Sequence, residues 1–141
     1  MKALLHITGT QTVDGEEDVI ELTTNGTLEQ TEEGWRIVYR ESEATGMVGT
    51  TTQLDISADK LNLMRTGPQP SMLVLEKNRR HHCNYPTPYG VIDLGTYTSE
   101  LDCRLSPTGG ELIFSYTLGF NGGISSAHTV HITVQEEKDH V

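Results

Sequence analysis

The residues with chemical potential in this chain are charged groups that fall in phase with large apolar ones. Arg65 follows Leu61 and Leu63 at alternate positions, Glu41 follows Ile37 and Tyr39, and Glu76 follows Met72 and Val74. Alternate residues of a strand project from one face. If these faces turn inward, a guanidinium and one or two carboxylates lie inside a fold or at its mouth. A charge there needs a partner, because burying it alone costs several kcal/mol. An ion pair of Arg65 with Glu41 or Glu76, supported by Tyr39, Thr52 or Tyr116, would meet that demand as a closed plug. Alternatively, the planar fork of Arg65 is free to grip a carboxylate or phosphate of a small ligand, with the tyrosines and threonines orienting it.

Other constellations offer less. Adjacent His81 and His82, beside Cys83, point to opposite faces of a strand, as do His128 and His131, so neither pair reads as a metal site. No serine occupies a G-x-S-x-G elbow, and Ser125-Ser126 reads as a turn entering a strand. The glycine pairs Gly109-Gly110 and Gly122-Gly123 lack the following helix of a phosphate-cradling loop. Glu16-Glu17 and Glu32-Glu33 fall in turns, where carboxylates are solvated. Tyr85-Pro86-Thr87-Pro88-Tyr89-Gly90 sets two aromatics on a stiff frame, either as a lid that places Tyr89 at a ligand or as a cover for the core.

Strands must position these groups, because period-two alternation runs along the whole chain and helical periodicity is nearly absent. Leu5, Ile7 and Gly9 alternate with Leu4, His6 and Thr8, and Asp14-Gly15-Glu16-Glu17 turns the chain into a second strand. Trp35, Ile37, Tyr39 and Glu41 share a face, as do Thr50, Thr52, Leu54 and Ile56. Ser71–Glu76, Val91–Leu105, Glu111–Leu118 and Ser125–Gln135 complete the strand readings. The prolines near Tyr85 mark an edge or an irregular crossing. About nine strands joined by short Gly, Asp, Asn or Pro turns predict an all-β, antiparallel barrel, in preference to a sandwich of shorter strands. It forms one domain over residues 1–135 with a frayed tail at 136–141.

Composition narrows the partners. With 20 acidic residues against 10 basic ones the formal net charge is −10, which repels phosphate backbones and acidic membranes. Neither nucleic acid nor membrane is expected as a partner. The basic stretch Lys77-Asn78-Arg79-Arg80-His81-His82 reads as a solvated hairpin loop rather than an anion site. No apolar run approaches the roughly 20 residues of a membrane span. Cys83 and Cys103 form no close-spaced pair, and free thiols in a reducing cytoplasm fit them better than a disulfide.

An ordered set of segments resembles the YwiB-like bacterial proteins, a family of unknown function. The set comprises Tyr39-Arg40-Glu41-Ser42-Glu43 with Thr45-Gly46, Thr50-Thr51-Thr52, Leu63-Met64-Arg65-Thr66-Gly67, Tyr85–Gly90 and the late strand around Ser115-Tyr116. The resemblance implies a calycin-like (lipocalin-type) up-and-down barrel of about 8–10 strands in a cytoplasmic protein. None of the shared segments is a catalytic signature, and a shared fold transfers no function. The expectation from the residues is therefore a non-enzymatic barrel without cofactor or metal. It would bind a small polar or anionic molecule through Arg65, Glu41, Tyr39, Thr52, Glu76, Tyr89 and Tyr116. The alternative is an interaction protein with a plugged interior, acting through an exposed face or edge strand, with a homodimer as one form of it.

Overall fold

A computed structural model describes residues 1–41, 48–68, 70–120 and 123–137, apart from the side chains of 83–87 and 123–125. Ten strands account for nearly all of it: β1 (Lys2–Val13), β2 (Glu16–Gln30), β3 (Trp35–Arg40), β4 (Thr51–Ile56), β5 (Lys60–Thr66), β6 (Ser71–Glu76), β7 (Arg80–Thr87), β8 (Gly90–Ser106), β9 (Gly109–Phe120) and β10 (Gly123–Glu136). They form one sheet in the order β6-β5-β4-β3-β2-β1-β10-β9-β8-β7, antiparallel at every step. The sheet curls into a nearly closed barrel, so the all-β, up-and-down expectation holds.

Turn chemistry sets the register. Val13 pairs with Glu16 across Asp14-Gly15, whose φ angles of 51° and 78° are the left-handed pair that a two-residue hairpin loop demands. Between β8 and β9 the loop is Pro107-Thr108 alone, so Gly109 and Gly110, expected in the turn, instead begin the strand. Gly110 has φ +139°, and a Cβ there would collide with the carbonyl oxygen of Arg104.

Pairing across β3 to β6 stacks the interior in layers. Trp35, Ile56, Leu61 and Leu75 make one row, and Ile37, Leu54, Leu63 and Leu73 the next. All but Trp35, which packs against this core from a partly buried position, are buried. The third row, Tyr39, Thr52, Arg65 and Ser71, is polar. Leu5, Leu112, Phe114 and Ile132 fill the opposite wall.

The barrel shuts where β6 approaches β8. Asn78 N donates to Thr98 O at 2.7 Å, Thr96 Oγ1 donates to Val74 O at 3.2 Å, and an isolated parallel bridge joins Lys77 to Thr98. A register shift between Thr98 and Glu100 changes the phase of β8. Leu94, Thr96 and Thr98 point inward before it, Leu101 after it. Two differences from the sequence reading concern boundaries: the basic stretch is only partly a loop, since Arg80-His81-His82 opens β7, and β10 continues to Glu136, with Glu137 N bonded to Lys2 O. Tyr85–Thr87 completes β7 at the edge of the sheet, as the prolines indicated.

Candidate binding site

The interior is not filled. A cavity of about 400 Å³ opens beside the polar row, walled mainly by apolar side chains such as Ile7, Leu22, Leu63, Phe114, Leu118 and Ile132. Tyr39, Glu41, Arg65, Tyr116 and His128 are polar groups in its lining, together with Gln11, which pairs with His128, and Thr10, which pairs with Thr129. Its volume falls in the range of small-molecule sites, as does its lining of apolar walls with few polar groups.

Glu41 and Thr52 explain each other. Thr52, fully buried on β4, donates its hydroxyl to Glu41 Oε1 at 2.7 Å. Tyr39 also lies within reach of this carboxylate. Burial first, then the Glu41 charge, push its phenol above the ordinary tyrosine range, while Arg65 acts in the opposite sense. Arg65 is treated differently. Among the described residues no ion pair reaches it, and its buried Nε has no hydrogen-bond partner in the protein. The plug expected of an Arg65–Glu41 or Arg65–Glu76 ion pair is therefore not formed: Thr52 holds Glu41, and the guanidinium is left at the cavity wall.

Residues 5–132 match the model of a domain family of unknown function, DUF1934. The chain belongs to this family. Among solved structures, that of the ywiB protein from Bacillus subtilis is similar over 97% of this chain and 92% of the other, with a TM-score of 0.83 at 20% sequence identity. No curated protein matches the chain in sequence. The family match and the nearly closed up-and-down barrel agree with the resemblance seen in the residues.

In this DUF1934 domain, β10 supplies a cavity group that the sequence reading passed over. His128 stacks on Tyr116 with ring centroids 4.9 Å apart and planes 12° off parallel. Tyr116 in turn stacks on Phe114 at 6.0 Å. Burial, aided by the charge of Arg65, holds the His128 imidazole below its ordinary pKa. Ser126 Oγ lies 2.8 Å from Nε2. That contact resembles half of a nucleophile–base pair, but among the described residues no carboxylate orients the other ring nitrogen, which a triad requires. The signal available in sequence was phase, since His128 lies two residues before Val130 and four before Ile132, both cavity-lining.

Two proposed site residues lie elsewhere in the domain. Glu76 does share a face with Met72 and Val74, but Leu73 and Leu75 are the buried residues of β6, so that face points away from the cavity. Its carboxylate meets His81 Nε2 at 2.9 Å and Arg79 at 3.7 Å, and His81 is the main cause of its lowered pKa. Tyr89 is fully exposed at the β7–β8 turn and does not line the cavity. The remaining aromatic of that segment, Tyr85, and the thiol of Cys83 lie outside the described side chains. Cys103 is a free thiol whose pKa burial raises. His131 projects from the outer face onto Glu111 at 2.9 Å, opposite in sense to His128. Among the described residues no cluster of His, Cys, Asp and Glu could hold a metal ion.

Proposed function

We propose that this domain binds a small anionic or polar molecule in its barrel cavity and does no chemistry on it. The observation that carries the reading is Arg65, whose buried Nε lacks a partner beside about 400 Å³ of apolar-walled space. Leaving a buried donor unsatisfied costs about 1–3 kcal/mol, more when the group is charged. An acidic oxygen entering the cavity would recover that cost, and bidentate geometry suits the guanidinium fork. Tyr39, Glu41, Tyr116 and His128 would border such a ligand, with Thr52 behind Glu41 holding its carboxylate; Glu76 and Tyr89 would not border it. The reading favours binding over catalysis because Glu41, the carboxylate in the lumen, is already engaged by Thr52.

Titration with 8-anilinonaphthalene-1-sulfonate, an apolar anion, tests this directly. Saturable one-to-one binding is expected, weakened at least tenfold in Arg65→Met. Absence of saturable binding, or equal affinity in the variant, overturns the reading. Native mass spectrometry of protein purified from cells supplies the companion readout, in which a mass shift of one small molecule is expected and a multiple of the chain mass would favour self-association instead.

A further inference from the structure

The polar and apolar parts of the cavity lining differ in kind, and the strand order says which elements supply the polar groups. Arg65 stands on β5 and His128 on β10, which lie five strands apart in the ten-stranded order and hence on opposing sides of the barrel. Both side chains nonetheless line the same cavity, so they face one lumen from opposite walls, and the Arg65 charge contributes to holding the His128 imidazole below its ordinary pKa. Apart from Thr10, Gln11 and Thr129, the rest of the lining is apolar, with Leu54, Leu63, Leu118, Phe120 and Ile132 among it.

From this arrangement we infer that the ligand is an amphiphilic acid, an apolar body carrying one carboxylate, whose head group sits between Arg65 and His128 and is taken up together with a proton. The inference rests on the binding reading above and specifies its ligand. Size follows from volume, since at about 30 Å³ per water-sized group the cavity holds roughly thirteen. A purely polar anion would leave the apolar walls hydrated. A purely apolar molecule would leave Arg65 unmet.

Proton uptake follows from the groups facing His128. Tyr116 on β9 stacks on it, Gln11 on β1 is its pairing partner, and Ser126 on β10 bonds its ring. Across the lumen stand Arg65 on β5, with Tyr39 and Glu41 on β3. The cation opposite His128 opposes its protonation in the free protein. A bound carboxylate neutralises that cation and presents its own negative charge, so imidazolium is favoured in the complex. By linkage, affinity then rises as pH falls, by at most tenfold per pH unit for one proton. Simple carboxylic acids are fully ionised well above their pKa of about 4, so ligand titration does not mimic this near neutral pH.

Isothermal titration with decanoate and with 1-decanol, between pH 8 and pH 6 in two buffers of different ionisation enthalpy, tests the inference on the intact domain. Decanoate should bind at least tenfold more tightly than decanol, and more tightly as pH falls, with up to one proton taken up per ligand. Arg65→Met should erase the preference for the acid, with Arg65→Lys restoring part of it. His128→Gln should retain decanoate binding at pH 8 and lose the pH dependence. Equal binding of decanoate and decanol, pH-independent binding, or pH dependence surviving in His128→Gln overturns the inference. Where the anilinonaphthalenesulfonate binds and decanoate does not, the amphiphilic-acid assignment falls and the binding reading stands. Where neither binds, both fall.

Discussion

Whether Glu41 belongs to Thr52 or to Arg65 decides between a pocket and a plug, and two double-mutant cycles measure it. The first combines Thr52→Val, which removes a hydroxyl at nearly constant volume, with Glu41→Gln. The 2.7 Å bond from Thr52 Oγ1 to Glu41 Oε1 is buried, and Thr52 itself is inaccessible to solvent. Hydrogen bonds to charged groups contribute about 1.5–3 kcal/mol, so the Thr52–Glu41 coupling should fall in that range. For a chain of this size each kcal/mol lowers Tm by about 2–4 °C, so Thr52→Val alone should melt roughly 3–12 °C early. The second cycle pairs Arg65→Met with Glu41→Gln. Removing one partner of a buried ion pair costs about 3–5 kcal/mol. Here no ion pair exists, and relief of the unsatisfied Nε, about 1–3 kcal/mol, offsets the lost attraction for Glu41. Arg65→Met should therefore change stability by no more than about 1 kcal/mol. Urea denaturation followed through the single tryptophan, Trp35, supplies the free energies. A loss above about 3 kcal/mol in Arg65→Met, or a Thr52–Glu41 coupling below about 0.5 kcal/mol, would refute the reasoning.

Two further outcomes test the same interior. In a spectrophotometric titration of the five tyrosines, Tyr39 should ionise later than an ordinary phenol, and Tyr39→Phe should remove that late step. Because its folded-state pKa is raised, the stability it contributes is complete below the unfolded value near 10 and declines as pH rises through the folded value, which alkaline denaturation of wild type and variant would register. Gly110→Ala should cost at least about 2 kcal/mol in thermal melts, since the residue combines φ +139° with a Cβ position blocked by the Arg104 carbonyl. Full retention of Tm would contradict the strand start at Gly109.

Alternation in the sequence was a sound guide wherever a strand has one buried face. The phases of Trp35 to Glu41, Thr50 to Ile56 and Leu61 to Arg65 all emerge as read, and they bring Tyr39, Thr52 and Arg65 into one row. Phase without direction misled at β6, because Met72, Val74 and Glu76 alternate as well as Leu73 and Leu75 do, and both sets contain apolar residues. Only the pairing of Leu63 with Leu73 settles which set faces inward. At β8 the bulge after Thr98 breaks the period, and no residue type announces it. Partner choice was hidden for a different reason. Arg65 and Glu41 have complementary charges, but side-chain register gives Thr52 to Glu41 first, and a shorter neutral donor on the adjacent strand prevails over a longer charged one. His128 was weighed only as a metal ligand beside His131, and its phase with Val130 and Ile132, which puts it on the cavity face, was passed over.

The closure of the sheet also orders events in time. Ala3 lies opposite Glu136 in the β1–β10 ladder, while β6 and β7, joined by the short 77–79 link, share no ladder; among the described residues β6 is tied across the seam only by the Glu76–His81 contact to β7 and sparse bonds to β8. All nine ladders would persist in a chain opened at Asn78 and rejoined from β10 to β1. In the natural order, by contrast, β1 has one exposed edge until the last strand is made. The six-stranded half must therefore hold that edge open, as a ready template for any other strand, until β10 arrives to cover it.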